Sequence, residues 1–181
     1  MKIIRAVKCS TKFATVKKKN TLDLVLKEYS SVVNFFIEFF WSKEKLDKGK
    51  LLKPIVDLPK NITWLSARLR KVAAREAIDM ILAVRYRWKS DKDKLKVNKP
   101  LHRGQRITCS STIAELQDSN SSFDCFLHLQ SIGNKIKLDI PIKKHKQFNY
   151  WESKGKRLNS YIITKDYIQF VFEIDVGPKK E

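Results

Sequence analysis

The chain has 181 residues, 43% of them hydrophobic, enough to bury one ordinary core or two small ones. Its 38 Lys+Arg against 19 Asp+Glu give a formal net charge of +19, a field that suits polyphosphate, an anionic membrane surface or simple solubility. The three cysteines, Cys9, Cys109 and Cys125, are widely spaced without a C-x-x-C pair, which argues against a zinc or disulfide framework and for a reducing compartment.

The opening "MKIIRAVKCSTKF" carries charges every two or three residues, where a signal peptide needs an apolar stretch. Ile3, Val7 and Cys9 share one parity, so the segment from Lys2 to about Phe13 is predicted as a strand with imperfect alternation. Lys17, Lys18 and Lys19 follow, and Asn20 with Asp23 three residues on fits a helix start. From Leu22 to about Leu46 there is no Gly or Pro, and Leu22, Leu26, Tyr29, Val33, Phe36 and Phe40 recur at helical spacing. Its most apolar part, "VVNFFIEFFW", is too short to span a bilayer and contains Glu38. With no amphipathic basic membrane segment or lipidation motif beside it, the charge points to nucleic acid, with no membrane partner and a cytoplasmic location.

Gly49, Pro54 and Pro59 punctuate a connector, after which "NITWLSARLRKVAAREAIDMILAVRYRWKS" is predicted as a second long helix. Leu65, Leu69, Ala73, Ala77, Met80, Val84 and Trp88 fall on one arc, and Arg68, Lys71, Arg75, Arg85 and Lys89 on the opposite one. Glu76 interrupts the apolar arc, where a neighbouring Arg would be a natural partner, and Trp88 is expected in the core. After a polar linker the period changes from 3.6 to 2. "RITCSSTIAEL" and "SFDCFLHLQ" are predicted strands, and "IGN" turns the second into "KIKLDIPIK", where Pro141 implies an edge or a bulge. "KHKQFNYWESKGKRLNS" reads as a basic loop carrying Tyr150 and Trp151, followed by a closing hairpin with Ile168, Phe170, Phe172, Ile174 and Val176 on one face.

A lone first strand needs a sheet, and the only other strands lie beyond the helices. The expected fold class is therefore α+β: a β-barrel or curled antiparallel sheet interrupted by an inserted helical hairpin or small helical lobe. Two clusters mark a candidate interface. Arg68, Lys71, Arg75, Arg85 and Lys89 share the second helix with aromatics. Lys143, Lys144, Lys146, Lys154, Lys156 and Arg157 flank Tyr150 and Trp151. Cations attract phosphate irrespective of sequence and aromatics stack on unpaired bases, so their interleaving favours nucleic acid. His102, His128 and His145 lack neighbours at ligand spacing and read as surface or packed residues. No hydrolase or phosphate-loop motif is present, and the dispersed carboxylates offer no set for two-metal chemistry, so neither a catalytic residue, a metal nor a cofactor is expected.

The segments "IIRAVKCSTKF", "LKEYSSVVNFFIEFFW", "LSARLRKVAAREAIDMI", "KIKLDIPIKKHKQFNYW" and "SYIITKDYIQFVFEI", in this order, resemble the N-terminal part of the transposon-encoded TnpB proteins, relatives of the compact type V CRISPR effectors. The resemblance covers nearly all of this chain but only the first part of the family's architecture. It implies a wedge, OB-like barrel with its first strand in residues 1–16, a helical recognition lobe in 17–100, and the rest of the barrel with a linker in 101–181. It also implies guide RNA and target DNA as partners and a RuvC-like nuclease domain beyond this segment. Asp175 then belongs to the end of the barrel strand rather than to a nuclease site. By this resemblance Arg68, Lys71, Arg75, Arg85 and Lys89 face duplex or heteroduplex, and Lys143, Lys144, Lys146, Tyr150, Trp151, Lys156 and Arg157 face RNA, with Lys17, Lys18 and Lys19 as further nucleic-acid candidates. The alternatives are a subunit of a split RNA-guided nuclease, with the carboxylates on a separate RuvC-like polypeptide, and a protein-interaction or inhibitor module.

Overall fold

A computed structural model of the chain describes residues 2–49, 51–90 and 98–177. In chain order the elements are β1 (Lys2–Ser10), α1 (Val16–Trp41), α2 (Lys53–Val56), α3 (Ala67–Ser90), β2 (Ile107–Ser110), β3 (Ala114–Asp118), β4 (Cys125–Leu129), β5 (Leu138–Ile142), α4 (Lys146–Lys154), β6 (Lys156–Ile163) and β7 (Tyr167–Asp175). The fold is α+β. The strands form two antiparallel sheets, ordered β1-β7-β6-β2 and β3-β4-β5, and do not close into a barrel. The chain divides into two compact units, one of Met1–Asp23, Arg106–Gln130 and Ile136–Glu181, the other of Leu24–Gln105 with Ser131–Lys135.

In the strand-bearing unit, β1 pairs with β7 along its whole length, from Lys2 opposite Asp175 to Ser10 opposite Tyr167. Val7 and Cys9 turn inward with Ile168, Phe170 and Phe172, all buried. Ile174 is buried near the end of the same face, but Val176 lies past the strand end and is exposed, because there the pairing has stopped. Asp175 is the last residue of β7. Pro141 sits on β5, an edge strand, where its missing N–H breaks no ladder.

Two expectations for this unit are corrected. "RITCSSTIAEL" is two strands rather than one. A turn closed by Ile113 N–H donating to Ser110 O sends β2 into one sheet and β3 into the other. The basic loop is a nine-residue helix, α4, anchored by Phe148, whose ring meets Phe170 and Phe172 edge-on at 5.1 and 5.2 Å. With one fully buried side chain, α4 shows no periodicity to read.

All three thiols are buried. Burial pushes Cys9 and Cys109 up to about 12 and Cys125 up to about 11, with the Lys144 ammonium offsetting part of the burial at Cys125. Unfolded thiols ionise from about pH 8.5. Above that the unfolded state holds fewer protons than the folded one, so these groups make stability fall as pH rises towards their folded values. At pH 8 a disulfide reagent should therefore titrate no thiol in the native protein and three after guanidinium unfolding, and the denaturation midpoint should drop between about pH 9 and 10.5. Reaction of any thiol within minutes in the native state would contradict the burial.

In the helical unit, α1 begins at Val16, six residues before the expected start at Leu22, and ends at Trp41. Thr15, not Asn20, stands at its entrance, with Thr15 Oγ1 accepting from Lys18 N–H at 3.4 Å and Thr15 O from Lys19 N–H at 3.0 Å. The apolar series Leu22, Leu26, Tyr29, Val33, Phe36 and Phe40 is fully buried, as its spacing required. α3, by contrast, starts later than the periodic run, at Ala67, because Arg70 holds the preceding connector. Its guanidinium donates to Val56 O, Leu65 O and Asp57 Oδ1. Glu76, the acid on the apolar arc, is buried and accepts from Tyr29 Oη at 2.6 Å, with His102 Nε2 at 3.6 Å. His102 is held in turn by Ser30 and Asn34, so a polar knot ties the 98–105 segment to the helices.

The loop between β4 and β5 is not a tight hairpin. Ser131, Asn134 and Lys135 all have positive φ, and Gly133 has φ 134°. Leu65 bridges to Gly133, and Ser66 N–H donates to Ile132 O at 2.7 Å. β5 accordingly starts at Leu138 rather than at Lys135.

Candidate nucleic-acid interface

At 100° per residue, Arg68, Lys71, Arg75, Asp79, Leu82 and Tyr86 form one stripe along α3, about 27 Å long. All six are exposed. Lys71 and Arg75 form no ion pair or side-chain hydrogen bond among the described residues, and Arg68 Nη1 donates only to Ser131 Oγ at 3.2 Å. The one acid on the stripe, Asp79, is paired with Lys48. The N-terminal half of the stripe is thus cationic and uncompensated, and its C-terminal half ends on Tyr86, 75% exposed.

Arg85 lies off this stripe and is otherwise engaged. Its guanidinium donates to Trp41 O and Lys43 O at 2.8 Å and to Glu44 O at 3.2 Å, satisfying carbonyls at the C-terminal end of α1. A cation there also complements the helix dipole. Lys89 lies in the last turn of α3. Trp88, expected in the core, is 45% exposed, because burial along the described part of α3 ends at Ile81.

In the strand-bearing unit the basic residues divide by what they touch. Lys144 and Arg157 both reach Glu152, at 2.9 and 3.3 Å, and Lys144 also faces Asp118 at 3.4 Å. Burial opposes the charge on Lys144, but the hydrogen bond and charge of Glu152 outweigh it and raise its pKa. These two cations hold α4 to the strands around it. Lys146 and Lys156 are exposed and form no ion pair among the described residues. On α4, Tyr150 is 52% exposed and meets Trp151 edge-on at 4.7 Å, and Arg5 of β1 lies 5.7 Å from the Trp151 ring centre.

Lys17, Lys18 and Lys19 fall in the first turns of α1, which carry no acid in the first turn. Three cations at the positive end of a helix dipole work against the helix, although lysine is itself a good helix former. Lys18 Nζ lies 6.0 Å from the Phe126 ring centre, beside a group that the sequence reading missed. Phe13, Phe123 and Phe126 form a chain of rings with centroids 5.8 Å apart at each step. Lys12 and Lys143 stand over Phe13 at 5.0 and 5.9 Å. The only sequence hint was a Lys-Phe pair in a turn after a strand, because the partner rings are more than a hundred residues away.

Among the described residues no group of three or more His, Cys, Asp or Glu side chains is placed to hold a metal ion, and no helix is long and apolar enough to cross a membrane. No protein-family model matches the sequence, and no curated protein matches it.

Proposed function

We propose that this chain is a non-catalytic module that binds RNA and DNA through their phosphates, similar to the wedge and recognition-lobe portion of a TnpB-like RNA-guided protein. The observation that carries the reading is the α3 stripe, where Arg68, Lys71 and Arg75 stand exposed without a carboxylate partner among the described residues. The chain, with a net charge of +19, pairs acids such as Asp57 with Arg70 and Glu152 with Lys144, and leaves this row of cations open. A straight cationic row on a rigid helix fits the regular phosphate spacing of a duplex. On this reading the helical unit meets target duplex or guide–target heteroduplex, and the two antiparallel sheets are the counterpart of the wedge barrel and hold guide RNA. Base pairing then reads sequence while protein cations read backbone and shape.

The test is direct binding. The protein purified at low salt should carry nucleic acid, seen as a raised 260/280 nm absorbance ratio, and the stripped protein should bind labelled RNA hairpins and duplex DNA by fluorescence anisotropy. A protein that binds neither at low salt, or that captures only an acidic protein, is not this module.

The same reading predicts no nuclease activity of the chain alone with magnesium or manganese, since the scattered carboxylates form no converging set in the sequence. Metal-dependent cleavage that survives repurification and disappears in Asp175→Ala would overturn this. Cleavage that arises only with a co-eluting RuvC-like polypeptide would make the chain one subunit of a split nuclease.

A further inference from the structure

We infer that Phe13, Phe123 and Phe126, rimmed by Lys12, Lys18 and Lys143, form a stacking platform for an unpaired nucleobase of a single-stranded segment, the lysines holding its flanking phosphates. The inference rests on the chain being a nucleic-acid binder and deepens it by naming a site and a strand state.

Phe13 stands in the short turn between β1 and α1, fixed by Ala14 N–H donating to Thr11 O at 2.9 Å. Yet Phe13 remains 38% exposed, although an apolar side chain of that size is ordinarily buried in a core. Phe126 lies on the outer face of β4, whose alternate residues Cys125, Leu127 and Leu129 are buried, so it too contributes to a surface. The ring-to-ring distances place the three side chains as one connected apolar surface rather than three scattered residues.

Charge decides what would cover it. Three lysines reach these rings from three separate segments, the β1–α1 turn, the first turn of α1 and the residue after β5. None of the three forms an ion pair among the described residues. Of the nearby acids, Asp118 is engaged with Lys144 Nζ and Asp124 Oδ2 with the Lys144 N–H. Asp139, further along the outer face, is paired with His128. An apolar protein or lipid partner would leave the three ammonium groups desolvated, whereas a nucleotide offers a π face to the rings and an anion to each lysine. An exposed lysine over a ring is held weakly and can swing to a phosphate when a base takes its place.

Binding of a labelled single-stranded RNA 12-mer is compared with that of a duplex of the same sequence, for wild type, Phe13→Leu, Phe123→Leu and Phe13→Tyr. Leucine keeps the site apolar but removes the π face, so each Leu variant should bind the single strand about tenfold more weakly, and Phe13→Tyr should restore it. Duplex affinity and the salt slope should be unchanged, because stacking releases no counterion. An abasic strand, equal in charge, should bind wild type and Phe13→Leu alike. Unchanged single-strand affinity in Phe13→Leu that is folded by circular dichroism, or an equal loss on the abasic strand, overturns the platform while leaving the α3 stripe intact. Wild-type binding to neither probe overturns both readings.

Discussion

Replacing Arg68, Lys71 and Arg75 together by Gln should flatten the salt dependence of binding without changing which sequences are bound. Each phosphate contact contributes about 0.7 to 0.9 to the magnitude of d log K/d log[salt], so the loss of three should remove about 2 units. Between about 50 and 200 mM salt, that difference corresponds to roughly a fifteenfold change in the ratio of wild-type to mutant affinity. The expectation is specific to contact. A cation that acts only through the long-range field changes the slope by a fraction of a unit, because its counterions are not displaced. Arg85→Gln is the internal control. Its guanidinium is spent on the three carbonyls at the end of α1, so its loss should cost about 2 kcal/mol of stability and leave the slope alone. If the triple variant is folded and its slope equals that of wild type, α3 is a solvated surface; if Arg85→Gln flattens the slope as the triple variant does, the division between structural and contacting cations is wrong.

That division marks the limit of what the sequence could say. The large features were legible because they follow from periodicity and from pairing requirements. Six apolar residues at helical spacing had to be buried in α1, and a lone first strand had to find partners, which it does along β7. What sequence could not supply is the partner of a side chain far away in the chain. Arg85 and Arg75 both lie away from the apolar arc of α3, yet one satisfies carbonyls more than forty residues earlier and the other faces solvent. Lys144 and Lys146 sit in one basic run, yet only the first meets Glu152. Local errors have local causes. α1 starts early because lysines are good helix formers even where the dipole opposes them, and β2 and β3 part at a turn that contains neither Gly nor Pro. The Phe13–Phe123–Phe126 surface was invisible for the same reason as the Arg85 contacts, since no window of sequence holds both ends of it.

The largest loss of stability from a single added methyl group is expected at Gly133. A Cβ built there lies 2.1 Å from Trp64 O and 3.0 Å from Ser66 N, both backbone atoms that cannot rotate away, and φ is 134°. Gly133→Ala must therefore lift the 131–135 loop off the 64–66 segment, and with it the Leu65 bridge and the Ser66 N–H to Ile132 O hydrogen bond. Strain at a glycine-only conformation combined with loss of a docked backbone should cost about 3 kcal/mol or more. For a chain of this size that lowers Tm by about 6 to 12 °C. Lys135→Gly separates the contact from general sensitivity of the loop. Lys135 has φ 55°, where glycine is at ease and lysine is not, so this change should be neutral or raise Tm slightly. Differential scanning fluorimetry on the two variants decides between the accounts: equal and small effects would mean that the loop is not docked on Trp64, whereas a large drop confined to Gly133→Ala follows only if backbone meets backbone there.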